Sequence, residues 1–388
     1  MTNKTDTMKI KILQFIALLG EATSDEIKAI SNSPSYAEKL ITSLKKDSYI
    51  KNFKGENKST YRLMHKGKKH LSDNLPEIFS EQITGRKSMN RVRDDKRREQ
   101  RRKKLAELLI LFHRADVKIF PDEKTLLKNI TVNTRADTTD FSDKHRPEFY
   151  TAVEIKSIIP DYKKGIGSRN LGILIAFGKL YIVYLTHDGN LLWKKDTEKD
   201  FLVNTTEVLA KKLFGQNNGT YLLVLSDNIN VASIIMKRGD KSGGKIYPCS
   251  ELPNMIFALK DSNEDATLDL ILNGSDVPDR LNSVFKQIYI PDKKYIGYDG
   301  VIRERKTDAS GKITTSENFG IFVFMFDMYK VMEAVEGAVR CQRKVTIFCF
   351  DYQRKYIEIF LKELKQDENP KIEILSDSIE GYMEDNLL

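Results

Sequence analysis

Within the first 63 residues the apolar side chains keep a helical period over three segments and then fall to a period of two, and that succession restricts the start of the chain to very few folds. Residues 8–20 place Ile12, Leu13, Phe15, Ile16 and Leu19 at the spacing of a helix buried on one face, and Gly20 is a natural stop. Thr23-Ser24-Asp25-Glu26-Ile27 opens a short second helix to about residue 31, with Ser24 as the expected cap and the carboxylates at the positive end of the helix dipole. Asn32-Ser33-Pro34 breaks the chain, and a third helix is predicted over 34–47, with Ser33 capping and Tyr36, Leu40, Ile41 and Leu44 at helical spacing. The period then falls to two: 49–53 and 60–63 alternate like strands around the turn segment 54–59.

Two short helices meeting at a tight turn, followed by a hairpin, define a winged helix-turn-helix, expected over 1–80. The residues after the hairpin, Leu63-Met64-His65-Lys66-Gly67-Lys68-Lys69-His70-Leu71, resemble the LTxxGxxxL tail of many bacterial winged helices, with Met64 at the Thr position. In this geometry the third helix enters the major groove and the wing grips phosphates. The candidate DNA-binding residues on the helix are Ser33, Ser35, Tyr36, Glu38, Lys39, Thr42 and Ser43, with Lys45 and Lys46 nearer the backbone; in or beside the wing they are Lys51, Lys54, Lys58, Arg62, Lys66, Lys68 and Lys69. The competing use of such a module is protein docking, with these polar residues merely solvating a face.

Charge favours nucleic acid. Residues 1–105 hold 25 Lys+Arg against 13 Asp+Glu, whereas the other 283 residues hold 39 against 42. A basic module on a near-neutral body is the electrostatic footprint of phosphate contact. The most basic run, GRKSMNRVRDDKRREQRRKK at 85–104, offers an anionic membrane only Met89 and Val92 as apolar anchors, so no membrane partner is expected. No segment reaches the roughly 20 apolar residues of a membrane span, and the polar start is unlike a secretory signal; a soluble, cytoplasmic chain is expected.

Residues 81–115 read as a basic helical connector. Eleven of the 19 residues from Arg86 to Lys104 are Lys or Arg, with no Gly or Pro among them. Arg91, Arg93, Arg97, Arg98, Arg101 and Arg102 are candidates for non-specific backbone contact, against the alternative of a solvated linker. The helix is expected to continue through Leu105 to His113, apolar enough to dock, with His113 a satisfied core or interface histidine rather than a metal ligand.

Residues 116–388 read as a mixed α/β domain, divisible near 240–250, which makes the whole an α+β multi-domain chain. Leu171 to Phe177 and Leu180 to Leu185 form a predicted hairpin about Gly178-Lys179. Strands near 221–225, 255–259, 320–326 and 345–350 are separated by helical patterns near 198–214, 228–238, 328–340 and 351–364. Three cysteines (Cys249, Cys341, Cys349) and five scattered histidines lack zinc-site spacing, and Cys349 reads as an inert core thiol.

One element could carry chemistry. In Val153-Glu154-Ile155-Lys156, a strand would put Glu154 and Lys156 on one face, and an upstream carboxylate among Asp137, Asp140 and Asp143 could join Glu154 in holding Mg²⁺, with Asp143 the nearest. This resembles the ExK element of PD-(D/E)XK nucleases, whose core has a similar succession of helix, hairpin and helix. The alternative is a capping box, Thr151 at the N-cap and Glu154 at N3, starting a short helix before Pro160. The sequence holds no Walker loop, GxGxxG or GxSxG, and no cofactor is expected outside the Mg²⁺ of the nuclease alternative.

With these elements, Phe149 to Lys156, Ser168-Arg169-Asn170-Leu171-Gly172-Ile173-Leu174 and Phe348-Cys349-Phe350-Asp351-Tyr352, the chain resembles proteins of plasmids and integrative conjugative elements of Gram-positive bacteria, some grouped as replication-relaxation proteins. The resemblance implies a winged-helix DNA binder near a mobile element's replication or transfer genes, with a degenerate nuclease-like second domain, and it supplies no catalytic residues to carry over. The expected function is a sequence-specific accessory or regulatory protein on double-stranded DNA, as a homodimer on paired half-sites or with replication or transfer proteins. The alternatives are a metal-dependent nuclease using Glu154 and Lys156, and a ligand-sensing transcription factor.

Overall fold

The computed structural model describes residues 4–31, 33–54, 59–75, 96–125, 146–158, 170–187, 195–214, 220–227, 255–260, 268, 271–272, 289–291, 298, 300–307, 310–323 and 327–375. They form a mixed α+β chain of helices and several sheets that divides into two compact units, one of residues 1–185 with 196–220 and one of residues 186–195 with 221–388.

The first unit opens with α1 (Lys4–Leu19), whose Ile12, Leu13, Phe15 and Ile16 are buried, as the 3.6 period requires. A two-residue strand, β1 (Ala22–Thr23), leads into α2 (Ser24–Ala29). The cap of α2 is Thr23 rather than Ser24: the Glu26 N–H donates to Thr23 Oγ1 at 3.2 Å and the Thr23 N–H to Glu26 Oε2 at 2.8 Å. This capping box needs Glu three residues after the cap, which only Thr23 has. Next, α3 (Pro34–Lys46) starts on its proline, while Ser33 stands at the N-cap without a capping side-chain bond. Strands β2 (Ile50–Lys54) and β3 (Ser59–Leu63) pair antiparallel from Ile50↔Leu63 to Lys54↔Ser59, and β1 pairs with the other edge of β3 in the order β1-β3-β2. The tail becomes a helix, α4 (His65–Asn74). Its Gly67 is there for space, since a Cβ would lie 2.4 Å from the Tyr49 carbonyl oxygen.

The connector is helical from Lys96 to Arg114 (α5), and residues 81–95 lie outside the described part. Rather than standing off as a spacer, α5 buries Ala106, Leu108, Leu109 and Phe112 in the first unit. His113 Nε2 sits 3.1 Å from the Ile30 carbonyl oxygen, and the His113 ring meets Phe120 edge-on. From α1, Gln14 Oε1 accepts the Asp122 N–H at 3.3 Å and Lys11 pairs with Glu123 at 2.6 Å. The segments expected as 1–80, connector and early body therefore share one unit. It continues with β4 (Glu148–Thr151), α6 (Ala152–Ile158), β5 (Gly172–Ala176) and β6 (Lys179–Thr186), paired antiparallel in that strand order. The β5–β6 turn is Phe177–Gly178, one residue earlier than expected, with φ of 46° and 70° as a two-residue primed turn requires. Helix α7 (Lys195–Asn204) runs through a π-turn at Thr205–Ala210 into α8 (Lys211–Phe214). Tyr184 Oη donates to Glu198 Oε2 at 2.6 Å in the interior.

In the second unit β7 (Thr220–Ser226) runs parallel to β8 (Met255–Leu259). A second sheet has the order β13-β12-β11-β10-β9, formed by β9 (Tyr289–Pro291), β10 (Gly300–Thr307), β11 (Ile313–Phe322), β12 (Val345–Phe348) and β13 (Ile372–Leu375). Helices α9 (Met328–Cys341) and α10 (Asp351–Glu363) occupy the expected places, and α9 packs on β8, β11 and β12. Cys349 is buried and Cys341 exposed. Cys249, the helix expected at 228–238 and the division expected near 240–250 lie outside the described residues. No helix among those described is long and apolar enough to cross a membrane.

Candidate nucleic-acid interface

The two faces of α3 are chemically distinct. Ala37, Leu40, Ile41 and Leu44 are buried, so the whole apolar stripe is used inside the first unit. The other face exposes Ser35, Glu38, Lys39, Thr42, Lys45 and Lys46, with Ser33, Tyr36 and Ser43 half-buried. Several of these have local work: the Thr42 hydroxyl donates to the Glu38 carbonyl at 3.0 Å, Ser43 Oγ to Asp47 at 3.2 Å, and Glu38 lies 3.5 Å from Lys28.

Tyr49 draws further cations around the end of α3. Its N–H donates to the Leu44 carbonyl at 2.9 Å and its carbonyl accepts the Met64 N–H at 2.8 Å, which joins the end of α3 to the start of α4. The Lys66 ammonium lies over the Tyr49 ring at 4.7 Å from the centroid, and Lys51 lies over Phe53 at 5.8 Å. Both lysines are exposed, as is Lys69, with Lys68 half-buried. Lysines 45, 46, 51 and 66 thus belong to segments that meet at one residue. The side chain of Lys54 and all of Lys58 lie outside the described residues.

Two expected DNA contacts are turned to internal use. Arg62 forks onto Glu21, with Nε at 2.8 Å and Nη2 at 2.7 Å, and lies 4.5 Å from the Phe53 centroid. Arg102 has a side chain only 9 % exposed, donates from Nη1 to Glu26 at 2.8 Å and approaches Glu21 at 3.8 Å. Glu21 and Glu26 thus hold the wing and the connector against α2, and the charge of these arginines is matched within the fold. Arg101, although exposed, donates from Nη2 to the Asn170 carbonyl at 2.7 Å. Arg98 is exposed, the side chain of Arg97 is not described, and Arg91 and Arg93 lie outside the described residues.

The expected catalytic pair stands on a helix, not a strand. The Thr151 N–H donates to Glu154 Oε2 at 2.7 Å and the Glu154 N–H to Thr151 Oγ1 at 3.4 Å, the capping box that starts α6. Lys156 follows two positions later, about 200° around the helix at 3.6 residues per turn, so the shared face of a strand is lost. Glu154 is buried and paired with Lys124, whose Nζ also donates to the Phe149 carbonyl at 2.9 Å. Beside it Tyr150 Oη, with one proton to share, lies 2.5 Å from Glu148 Oε2 and 2.7 Å from the Thr125 carbonyl oxygen; burial, then the neighbouring Glu148 carboxylate, push its phenol well above the usual range. Asp137, Asp140 and Asp143 lie outside the described residues.

A charged cluster not anticipated from sequence lies in the second unit. Asp227 binds His187 Nδ1 at 2.6 Å and Lys260 Nζ at 2.8 Å. Partial burial raises the Asp227 pKa, and the hydrogen bonds from Lys260 and His187 outweigh it, leaving the carboxyl below its ordinary value. Forty residues separate His187 from Asp227, and no local spacing announces the pairing. Comparison with models of protein families, with curated proteins and with solved structures returns no match for this chain.

Proposed function

We propose that residues 4–75 are a winged-helix module and that the chain is a DNA-binding accessory or regulatory protein, with α3 as the reading helix. One observation carries this: α3 spends its entire apolar stripe inside the unit and turns outward a polar face bearing Lys39, Lys45 and Lys46. Such a face suits a hydrated, anionic partner better than an apolar protein surface. The order helix, short strand, two helices and hairpin supports the module, and Lys51, Lys66 and Lys69 supply phosphate contacts beside the helix. Service to a mobile element's replication or transfer rests on the family resemblance alone.

The test is an electrophoretic shift with duplex DNA flanking the protein's own gene, over a salt series. Binding should weaken linearly in log–log form, with a slope of about −0.9 per phosphate neutralised. A slope shallower by about 3 on changing Lys39, Lys45 and Lys46 to Ala supports the module; salt-insensitive binding, or none, sinks it.

A further inference from the structure

The outward residues of α3 are not equivalent. At 3.6 residues per turn, Ser35, Lys39, Thr42 and Lys46 fall along one line of the helix, opposite the buried Ala37, Leu40, Ile41 and Leu44, and all four are exposed. Glu38 and Lys45 flank this ridge on one side, Tyr36 and Ser43 on the other. A duplex that meets α3 squarely meets the ridge first, and the chemistry of its members decides which of them can tell one base from another.

Local bonds remove most of the candidates. The Thr42 hydroxyl gives its proton to the Glu38 carbonyl at 3.0 Å, so Thr42 offers an incoming base no donor. Ser43, off the ridge, donates to Asp47 at 3.2 Å, and the Glu38 carboxylate is matched by Lys28 at 3.5 Å. Ser35 lies 3.4 Å from the Ser33 hydroxyl, and a hydroxyl, being donor and acceptor at once, suits either kind of base edge. Lys46 stands seven residues beyond Lys39, roughly 10 Å along the axis at 1.5 Å per residue. It is next to Lys45 at the end of α3, the end joined through Tyr49 to the segment that carries Lys66. That concentration of cations suits backbone phosphates, which carry no sequence information. Lys39 remains, central on the ridge, exposed, and without an ion-pair partner among the described residues.

A lysine ammonium carries donors and no acceptor. In the major groove guanine alone presents two acceptors side by side, N7 and O6, whereas adenine sets an amino donor beside its N7 and thymine offers a lone acceptor beside a methyl group. We infer that Lys39 is the residue through which α3 selects its site, donating to N7 and O6 of one guanine, while Lys45 and Lys46 hold phosphates whatever the sequence. This rests on the proposed DNA-binding function and adds to it the base that the site must contain.

The experiment uses the full chain and a pool of duplexes randomised over a central stretch and selected for binding. Affinities are then measured on the selected duplex and on the same duplex with 7-deazaguanine, which lacks the N7 acceptor, at each enriched guanine in turn. The parent should enrich a guanine and lose about tenfold in affinity when that base is replaced. Lys39→Ala should bind the two duplexes alike, whereas Lys45→Ala/Lys46→Ala should bind both more weakly and keep the ratio between them. Lys39→Gln should exchange the guanine for adenine, because a side-chain amide pairs with adenine N6 and N7; a residue that merely held the helix would produce no such exchange. Enrichment of no guanine by the parent, or survival of the parent's ratio in Lys39→Ala, overturns the assignment, and salt-dependent binding in the same assays leaves the module standing. Should Lys39→Ala bind too weakly to measure, selection with Lys39→Gln decides, and retention of the guanine overturns the assignment. A parent that binds no duplex overturns both readings.

Discussion

Lys124 Nζ lies 2.5 Å from Glu154 Oε1, and the two side chains are only 2 % and 5 % exposed. The same carboxylate accepts the Thr151 N–H through its other oxygen, so both oxygens of Glu154 are used in holding β4, α6 and the segment at Lys124 together. A general base or metal ligand needs an open oxygen and access to water, and this group has neither. Glu154→Gln keeps an acceptor for the cap but strands the Lys124 charge in the interior. Breaking one side of a buried pair costs about 3–5 kcal/mol, so denaturant unfolding should show a loss of that order. Supercoiled plasmid incubated with Mg²⁺ should behave identically with both proteins. A variant of unchanged stability that had lost a cutting activity would restore the nuclease alternative.

The cations of the first unit fall into two groups that should respond oppositely to truncation. Lys45→Ala/Lys46→Ala removes exposed charge, so the salt slope of DNA binding should become shallower by about 2, while stability changes by less than about 0.5 kcal/mol. Arg102→Ala leaves Glu26 without its ion-pair partner in a half-buried place, while Glu21 keeps Arg62, and about 1–3 kcal/mol of stability should go with the salt slope unchanged. Paired unfolding and binding curves separate the two; an altered slope in Arg102→Ala would mean that this side chain leaves its carboxylates on DNA.

This contrast marks the limit of what the sequence disclosed. The periods of α1 and α3 and the apolar runs of β5, β6 and β12 are local signals, because one-sided burial prints itself on consecutive residues. Strand β1 is two residues long and carries no period, and the helix after the wing contains too few apolar residues to show one. Charge counting marks Arg62 and Arg102 as cations but cannot show that Glu21 and Glu26, 41 and 76 residues away, have already matched them. The same holds for Lys124 and Glu154, 30 positions apart. The Glu154 side chain was legible as either half of an ExK pair or the third residue of a cap, and only the backbone at Ala152–Ile158 decides between them.

Gly67 tests whether the junction at Tyr49 is as tight as its geometry. In an open helix, Ala in place of Gly would stabilise by about 1 kcal/mol. Here the added Cβ would stand 2.4 Å from a backbone oxygen that already accepts the Met64 N–H, and backbone cannot yield as a side-chain tip does. Gly67→Ala should therefore destabilise by about 1–3 kcal/mol and weaken DNA binding, since α4 carries Lys66 and Lys69 away from α3 as it shifts. Thermal unfolding beside a binding isotherm checks both; a stabilised Gly67→Ala protein would show the contact to be soft.

His113 gives the first unit a pH dependence with a defined sign. Burial lowers its pKa below the ordinary 6.5, and the carbonyl of Ile30 only partly offsets this, with the Lys11 ammonium adding to the lowering. The unfolded chain takes up a proton near 6.5, whereas the folded one resists until a lower pH. Protonation in that window therefore favours unfolding. Stability from this group is complete above 6.5 and falls as pH drops from there toward the folded-state value, below which the dependence levels off. His113→Gln keeps an amide donor for the Ile30 carbonyl and removes the titration, so its stability should be flatter between pH 7 and 5 than that of the parent. Urea midpoints across that range measure the difference, and parallel curves for the two proteins would mean that the imidazole accepts its proton without leaving the Ile30 carbonyl.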